Sequence, residues 1–319
     1  MKLQTIIPVQ LTEDNQIDYD SNIVLFGSCF AENLSKKFNF FKFKNSQNPF
    51  GINFHPVAIE RVINHVINKK AYNDEDVFFY NEQWHCFESH SKLSCASKQE
   101  LLVNLNANIE HTYNRLCESS HVIITLGTAW TYRYLEKDIV VSNCHKLPNT
   151  LFSKELLSVN EVYQSLQSIV RLIKSINRST TVIFTVSPVR HLRDGFIENT
   201  QSKAHLIAAV HSLLSKNSKD QKTYYFPSYE ITMDELRDYR FYADDMIHPN
   251  TLAVSYIWNK FQECWIALNV RKTMKEVKQI QLDLEHKPFN SNSKAHQQFV
   301  KQLKSRQEKL QSKFPNILF

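Results

Sequence analysis

The sequence predicts an α/β protein with a doubly wound, mainly parallel sheet, helices on both faces and a C-terminal helical extension. Three apolar runs, residues 23–26, 121–126 and 181–186, have the length and the continuous hydrophobicity of buried parallel strands. Segments with a helical spacing of apolar residues separate these runs. Because strands that alternate with helices build parallel sheets covered on both faces, the order of the elements defines the fold class.

The remaining elements follow from shorter signals. Two further strands are predicted at residues 40–43 and 223–226, and hairpins at residues 78–84 and 132–141. Asn250 is the expected cap of the last helix of this series. The predicted helices, in chain order, span residues 32–38, 55–68, 98–116, 159–176, 199–214 and 251–268.

The chain is predicted to divide into an α/β domain, residues 1–268, and a basic helical extension, residues 269–319. The whole chain carries a net charge of +6, and the extension has eleven Lys and Arg against four Asp and Glu, which leaves −1 for the α/β domain. Its helices are predicted at residues 270–284 and 292–313. We expect its larger apolar side chains to be buried on the α/β domain or on a second subunit of a homo-oligomer: Leu282, Leu284, Phe289, Phe299, Leu303 and Leu310.

Composition excludes several classes of protein. The six cysteines are scattered and form no C-x-x-C pair, which argues against a disulfide framework and against a zinc site. The N-terminal apolar stretch is too short for a signal peptide, and no stretch is long enough to span a membrane. A basic helical tail is usually a solvated face or an oligomer contact, so no nucleic-acid partner is expected. We therefore predict a cytoplasmic protein without metal, cofactor or membrane partner.

Glycine is scarce, with four residues where average usage would give about 22. Such a chain is expected to keep glycine where a positive φ or a close approach of the backbone requires it. Gly27 directly follows the strand predicted at residues 23–26, and Gly127 follows the one predicted at residues 121–126. Because ligands bind beyond the carboxyl ends of parallel strands, both positions indicate loops of a site.

Asp245 precedes His248 by three residues, between the last predicted strand and the helix that Asn250 caps. An aspartate at this spacing can accept the Nδ1 proton of the imidazole, which leaves Nε2 free as a base. The alternative is an ordinary surface loop with two polar residues. The position of the pair at the predicted ligand-binding edge favours a site.

Ser28 and Cys29 follow Gly27 at the predicted start of the first helix. The unpaired N–H groups and the positive dipole end of a helix favour an anion at this position. A thiol there, beside a histidine, has a lowered pKa and becomes a nucleophile. The alternative is a serine that caps the helix and a cysteine buried in the core.

These motifs belong to a set of five blocks that resemble the GSCFA family, in the order in which that family has them. The resemblance runs from about residue 21 to residue 268. That family is similar to the SGNH, or GDSL-like, esterases and acylhydrolases, which have a flavodoxin-like sheet, a nucleophile after the first strand and an Asp-x-x-His pair near the end. The blocks are residues 27–31 (GSCFA), 48–51 (NPFG), 126–130 (LGTAW), 187–191 (SPVRH) and 245–249 (DMIHP).

The resemblance implies roles for several residues. Cys29 takes the position of the nucleophile, and a shift of the alignment by one residue would give that role to Ser28. Asp245 would orient His248, which would act as the general base. The usual glycine donor to the oxyanion falls on Gly51.

The block that contains Gly127 departs from the family pattern of the esterases. Ala129 stands where an oxyanion-hole asparagine is expected. Loss of one such donor typically lowers the rate by about 10²–10³. Thr128, Asn33 or His191 would then supply the missing hydrogen bond.

The predicted function is hydrolysis or transfer of the acyl group of a small-molecule ester or a carbohydrate ester, without a cofactor. Arg190, next to His191, is placed to hold a carboxylate or a phosphate of the substrate. The alternative is a non-catalytic protein that binds a ligand on the same scaffold.

Overall fold

The structure is a computed structural model that describes residues 5–12, 14–216 and 222–319. The described strands and longer helical segments, in chain order, are β1 (Ile23–Gly27), α1 (Cys29–Phe40), β2 (Asn45–Gln47), α2 (Pro56–Ile67), β3 (Val77–Tyr80), β4 (Gln83–Cys86), α3 (Lys98–Cys117), β5 (His121–Leu126), β6 (Trp130–Tyr134), β7 (Ile139–Val141), β8 (Phe152–Leu156), α4 (Val159–Ile176), β9 (Thr181–Val186), α5 (Phe196–Lys216), β10 (Thr223–Tyr225), α6 (Ser228–Glu230), α7 (Thr251–Trp265), α8 (Arg271–Glu285) and α9 (Lys294–Lys313).

Within the described ranges, five parallel strands form the central sheet in the spatial order β10-β9-β5-β1-β2. Numbered among themselves along the chain, they have the flavodoxin-like order 2-1-3-4-5. The direction of winding reverses between β1 and β5, where Gly27 pairs with Thr125. The doubly wound parallel sheet predicted from the sequence is confirmed. Its ligand-binding edge lies at the carboxyl ends of β1, β5 and β9.

Successive side chains of each strand point to opposite faces of the sheet, so the core has two layers. Val24 and Phe26 of β1 face a cluster with α2, α3, α4 and α5. Ile23 and Leu25 face the opposite cluster, which contains side chains of α1, α7, α8 and α9. No helix in the described part of the chain is long and apolar enough to cross a membrane.

Two short segments differ from the sequence-based expectation. The strand predicted at residues 40–43 is wrong, because α1 continues to Phe40 and β2 begins only at Asn45. The segment between them is a turn, in which Lys42 has a left-handed backbone with φ +63°. The sequence also gave no signal for β8, which pairs antiparallel with β6 in a small separate sheet.

The C-terminal extension packs on the α1–α7 layer. Its buried side chains on α8, Met274, Val277 and Ile280, recur every three residues and so form one stripe. Leu303 and Leu310 of α9 are buried in the same cluster, as predicted, and Phe299 packs against it. Burial of three other predicted residues on the α/β domain is wrong: Leu282 and Leu284 lie off the buried stripe and Phe289 lies between the helices, and all three are exposed.

His55 makes the stability of the α/β domain dependent on pH. Its buried side chain caps α2, since Nδ1 accepts a hydrogen bond from the Ala58 N–H (3.1 Å) and Nε2 donates to the Val141 carbonyl oxygen (3.0 Å). Burial lowers the pKa of His55 to about 4. A second ring proton would be desolvated and would face the N–H of Ala58.

The free energy of unfolding is therefore expected to fall as the pH is lowered from about 6.5 to about 4, because the unfolded chain binds the proton that folded His55 excludes. At about pH 5 the loss from His55 alone is about 2 kcal/mol, and above about pH 7 its contribution is complete. Urea unfolding of the wild type and of His55→Asn across this range tests the expectation. Asparagine keeps a cap without titrating, so equal pH slopes for both proteins would contradict it.

Candidate active site

Gly27 ends β1 in a turn that other residues adopt only with strain. Its φ is +130°, and a Cβ at this position would lie 2.1 Å from the Thr125 carbonyl oxygen of β5. The same carbonyl accepts a hydrogen bond from the Ser28 N–H at 3.1 Å. The Gly27 N–H donates to Asn48 Oδ1 at 2.8 Å. This turn places the start of α1 directly over the carboxyl end of β5.

Ser28 and Cys29 have different surroundings at the start of α1. Ser28 is 1% exposed, and its Oγ accepts a hydrogen bond from the Phe30 N–H, so it is the N-cap of the helix. Cys29 is partly exposed and its thiol is free. Burial raises the pKa of the Cys29 thiol, and the Glu32 carboxylate raises it further. The Lys203 ammonium and the first backbone N–H groups of the helix lower it, but the net shift is upward. The lowered pKa expected for a thiol at this position is therefore wrong, because burial outweighs the helix N-terminus.

Asp245 and His248 make the contact that their spacing predicts. His248 Nδ1 donates to Asp245 Oδ2 at 2.6 Å, which leaves Nε2 without its proton in the neutral ring. Asp245 Oδ1 accepts the backbone N–H groups of Ile247 and His248, each at 2.9 Å. These two backbone bonds, followed by the His248 side chain, lower the pKa of Asp245 to about 2. The carboxylate is therefore ionised throughout the neutral range.

His191 lies over the end of β5, beside Gly127. A Cβ on Gly127 would be 3.1 Å from His191 Nε2, and this nitrogen is buried without a hydrogen-bond partner. Burial, and then the positive charges of Lys203 and His248, lower the pKa of His191 to about 3. His191 is thus a neutral imidazole with one unused ring nitrogen at the ligand-binding edge.

Lys203 of α5 is a site residue that the sequence analysis missed. It is 1% exposed, and its Nζ donates to the Gly127 and Ser187 carbonyl oxygens at 2.6 and 2.7 Å. Burial lowers the pKa of Lys203 to about 7, and a negative charge on Cys29 raises it. A signal was present, because Lys203 precedes Leu206 and Val210 by three and seven residues and so lies on the apolar stripe of its helix.

Asn48 is a second residue whose role the sequence did not reveal. Its backbone adopts φ +40°, and its Oδ1 is fixed by the Gly27 N–H. The Nδ2 group of the same side chain is buried without a hydrogen-bond partner. An unpaired amide donor beside the first strand end is unusual in a folded protein.

The predicted oxyanion donors are already engaged in this conformation. The Gly51 N–H donates to the Asn48 carbonyl oxygen at 2.7 Å, and the Gly127 N–H donates to that of Phe54 at 2.7 Å. The Thr128 hydroxyl lies 2.8 Å from the Ser202 hydroxyl and is buried. Each group therefore supports its own loop. Gly51 bonds within its own turn, whereas Gly127 and Thr128 bond to other segments, which the sequence could not show.

Asn33 lies near this edge, and the hydrogen bond expected between His248 and the nucleophile is not formed within the described ranges. Asn33 is one helical turn beyond Cys29 on α1 and is partly buried. In the described part of the chain no hydrogen bond joins His248 to Cys29 or to Ser28. The link that would complete a Cys–His–Asp triad therefore stays a prediction.

A cleft of about 440 Å³ opens beside Arg190. Arg190 lies at one wall, where its guanidinium carbon is 4.7 Å from the centroid of the Tyr242 ring. Tyr242 belongs to the segment that leads to Asp245, so the cleft adjoins both histidine loops. Its lining consists of aromatic, charged and small polar side chains, chiefly Arg190, Tyr229, Asp234, Arg237, Tyr239 and Tyr242.

Fold and site together define an α/β protein with a cysteine at the start of its first helix and an Asp–His pair before a later helix. The model of the GSCFA family matches residues 22–261, and that of the GSCFA domain protein, C-terminal domain, matches residues 277–319. The chain belongs to the GSCFA family, which confirms the resemblance of the five sequence blocks. A comparison with curated proteins gives no match.

Proposed function

We propose that the protein is an acyl hydrolase or acyl transferase that uses Cys29 as its nucleophile. The observation that carries the proposal is the free, partly exposed thiol of Cys29 at the N-terminus of α1, at the strand edge that also has the Asp245–His248 pair. A thiol at a helix N-terminus, served by an oriented imidazole, is a recognised arrangement for covalent acyl transfer.

In the proposed reaction, Cys29 Sγ attacks the carbonyl carbon of an ester and its proton passes to His248 Nε2. Collapse of the tetrahedral intermediate breaks the bond to the alcohol oxygen, and His248 returns the proton to that oxygen. Water then opens the thioester in a hydrolase, and a second hydroxyl group opens it in a transferase. Asp245 holds the imidazole in the required tautomer and stabilises its charged form.

The oxyanion of the intermediate needs hydrogen-bond donors that are free in the resting protein. We assign this role to the Cys29 backbone N–H, in the first turn of α1, and to Asn48 Nδ2, which is buried and unpaired. Asn48 thereby replaces both the engaged Gly51 N–H and the asparagine whose place Ala129 takes.

Asn48→Asp is expected to lower kcat for ester hydrolysis by about 10²–10³, with little change in KM, because one donor to the oxyanion is lost. The substitution keeps an oxygen for the Gly27 N–H and a residue type that tolerates the left-handed backbone. Steady-state kinetics with a short acyl ester measure the effect. Unchanged kcat in a folded variant would remove Asn48 from the oxyanion site.

The cleft beside Arg190 suits a carbohydrate or another polar alcohol portion of the ester. Its volume is in the range of small-molecule sites, and its tyrosine rings and charged groups offer flat apolar faces together with hydrogen-bond partners. Arg190 lies closest to the histidine loops and would hold the polar part of the substrate.

The second candidate is a non-catalytic protein that binds such a ligand in the same cleft. It is favoured by the raised pKa of the Cys29 thiol and by the absence, among the described residues, of a hydrogen bond between this thiol and His248. Turnover of a panel of acetyl and longer acyl esters, with and without carbohydrate alcohols, separates the two. An enzyme gives turnover that a thiol-directed electrophile on Cys29 blocks, whereas a binding protein gives ligand binding without turnover.

A further inference from the structure

Lys203 is a buried cation without a carboxylate partner. None of the ion pairs between described residues includes it, and its Nζ contacts only neutral carbonyl oxygens. Lys260, by contrast, is also buried but is paired, since its Nζ lies 3.0 Å from Glu235 Oε1. An unpaired buried charge is strongly unfavourable, which is why burial lowers the pKa of Lys203, and a nearby anion would stabilise its charged form.

The acidic group whose charge acts on Lys203 is the thiol of Cys29. Thr125 O, at the end of β5, holds the N–H of Ser28, while Gly127 O, two residues further on, holds Lys203 Nζ. The start of α1 and the lysine ammonium therefore share one strand end. The ammonium of Lys203 lowers the pKa of Cys29, and a thiolate at Cys29 raises the pKa of Lys203.

Other charged groups at this edge do not replace the thiolate. Glu32, on α1, already has a cationic partner, since its Oε1 lies 3.7 Å from Lys92 Nζ. His191 carries no negative charge, and the Lys203 ammonium disfavours its protonated form. The Tyr229 ring lies 6.0 Å from Lys203 Nζ and contributes only a weak cation–π contact.

We propose that Lys203 is a positioning residue whose buried ammonium is the counter-ion of the Cys29 thiolate. Two of its three N–H bonds hold the ends of β5 and β9 through Gly127 O and Ser187 O, which leaves the third for the thiolate. This inference rests on the proposed role of Cys29 as nucleophile. The proton that leaves Sγ passes to His248, and the ammonium keeps its own.

The test is the pH dependence of Cys29 alkylation by iodoacetamide, read by mass-spectrometric peptide mapping so that the other cysteines do not interfere. In Lys203→Met the midpoint is expected to rise by about one pH unit or more, which lowers the rate near pH 7 about tenfold. The matched control Lys260→Met, which removes a buried lysine paired with Glu235, should leave the midpoint unchanged. A folded Lys203→Met protein with the wild-type midpoint would overturn the proposal.

If Lys203→Met does not fold, a second measurement tests the same ion pair. In full-length protein with isotopically labelled lysine, NMR titration of Lys203 is expected to give a lower pKa in Cys29→Ser than in the wild type, since the variant cannot form the thiolate. Equal values would overturn the ion pair. Neither experiment uses an ester, so a shifted midpoint without any ester turnover would sustain the ion pair and reject the proposed enzyme.

Discussion

Cys29→Ala is expected to lower ester turnover by about 10⁴-fold or more, because the nucleophile is lost and only binding and the oxyanion donors remain. Alanine is a good helix former at the first position of α1, and the thiol accepts no hydrogen bond from another segment of the described chain. The variant should therefore fold normally. Steady-state kinetics and a urea unfolding curve of the same preparation measure both properties.

Ser28→Ala is the neighbouring control for this experiment. Ser28 is buried and its Oγ caps α1, so its replacement is expected to destabilise the protein by about 1 kcal/mol while most of the turnover per folded molecule is retained. The opposite pattern, with activity lost in Ser28→Ala and kept in Cys29→Ala, would make Ser28 the nucleophile. Retention of activity in both variants would exclude nucleophilic catalysis at this turn.

Truncation after Leu268 is expected to abolish cooperative folding of the α/β domain. The extension contributes buried apolar side chains to the layer that covers β1: Met274, Val277, Ile280, Leu303, Leu310 and Ile317. At about 1.5–3 kcal/mol for each fully buried side chain, their loss amounts to about 9–18 kcal/mol, which is comparable to the whole stability of an ordinary domain, about 5–15 kcal/mol. Urea unfolding of the truncated and complete chains, followed by tryptophan fluorescence, measures the difference.

Substitutions within the extension provide the matched control. Leu282→Ser and Leu284→Ser change exposed side chains on α8 and should alter the free energy of unfolding by no more than about 0.5 kcal/mol. Val277→Ser, on the buried stripe of the same helix, should lower the free energy of unfolding by several times as much. A truncated chain that unfolds at the same urea concentration as the complete protein would show that the extension does not share the core.

The parts of the fold that the sequence predicted well are those where one signal dominates. The ranges of β5, α4 and β9 were predicted to the residue, because buried parallel strands are uninterrupted apolar runs and α4 has a strong apolar stripe. The strand predicted at residues 40–43 failed because the chain leaves α1 at Phe40 through a turn in which Lys42 has a left-handed backbone, with φ +63°. β8 has half-exposed side chains throughout and therefore gave no periodic signal.

The candidate site shows the same division between local and long-range information. The contact between Asp245 and His248 spans three residues and follows from spacing alone. The bond from the Gly51 N–H to Asn48 is local too, because it closes an Asn-Pro-x-Gly turn. The burial of Lys203, in contrast, depends on how α5 packs across β5 and β9, and a single sequence does not contain that packing in readable form.

The most direct test of the central claim is to trap the acyl-enzyme. The protein is mixed with p-nitrophenyl acetate, quenched in acid during the first turnover and mapped by mass spectrometry. The account predicts one acetyl group on the peptide that contains Cys29, attached as a thioester that neutral hydroxylamine removes. Acetyl on Ser28 as a hydroxylamine-resistant ester, or steady turnover without any acylated peptide, would contradict it.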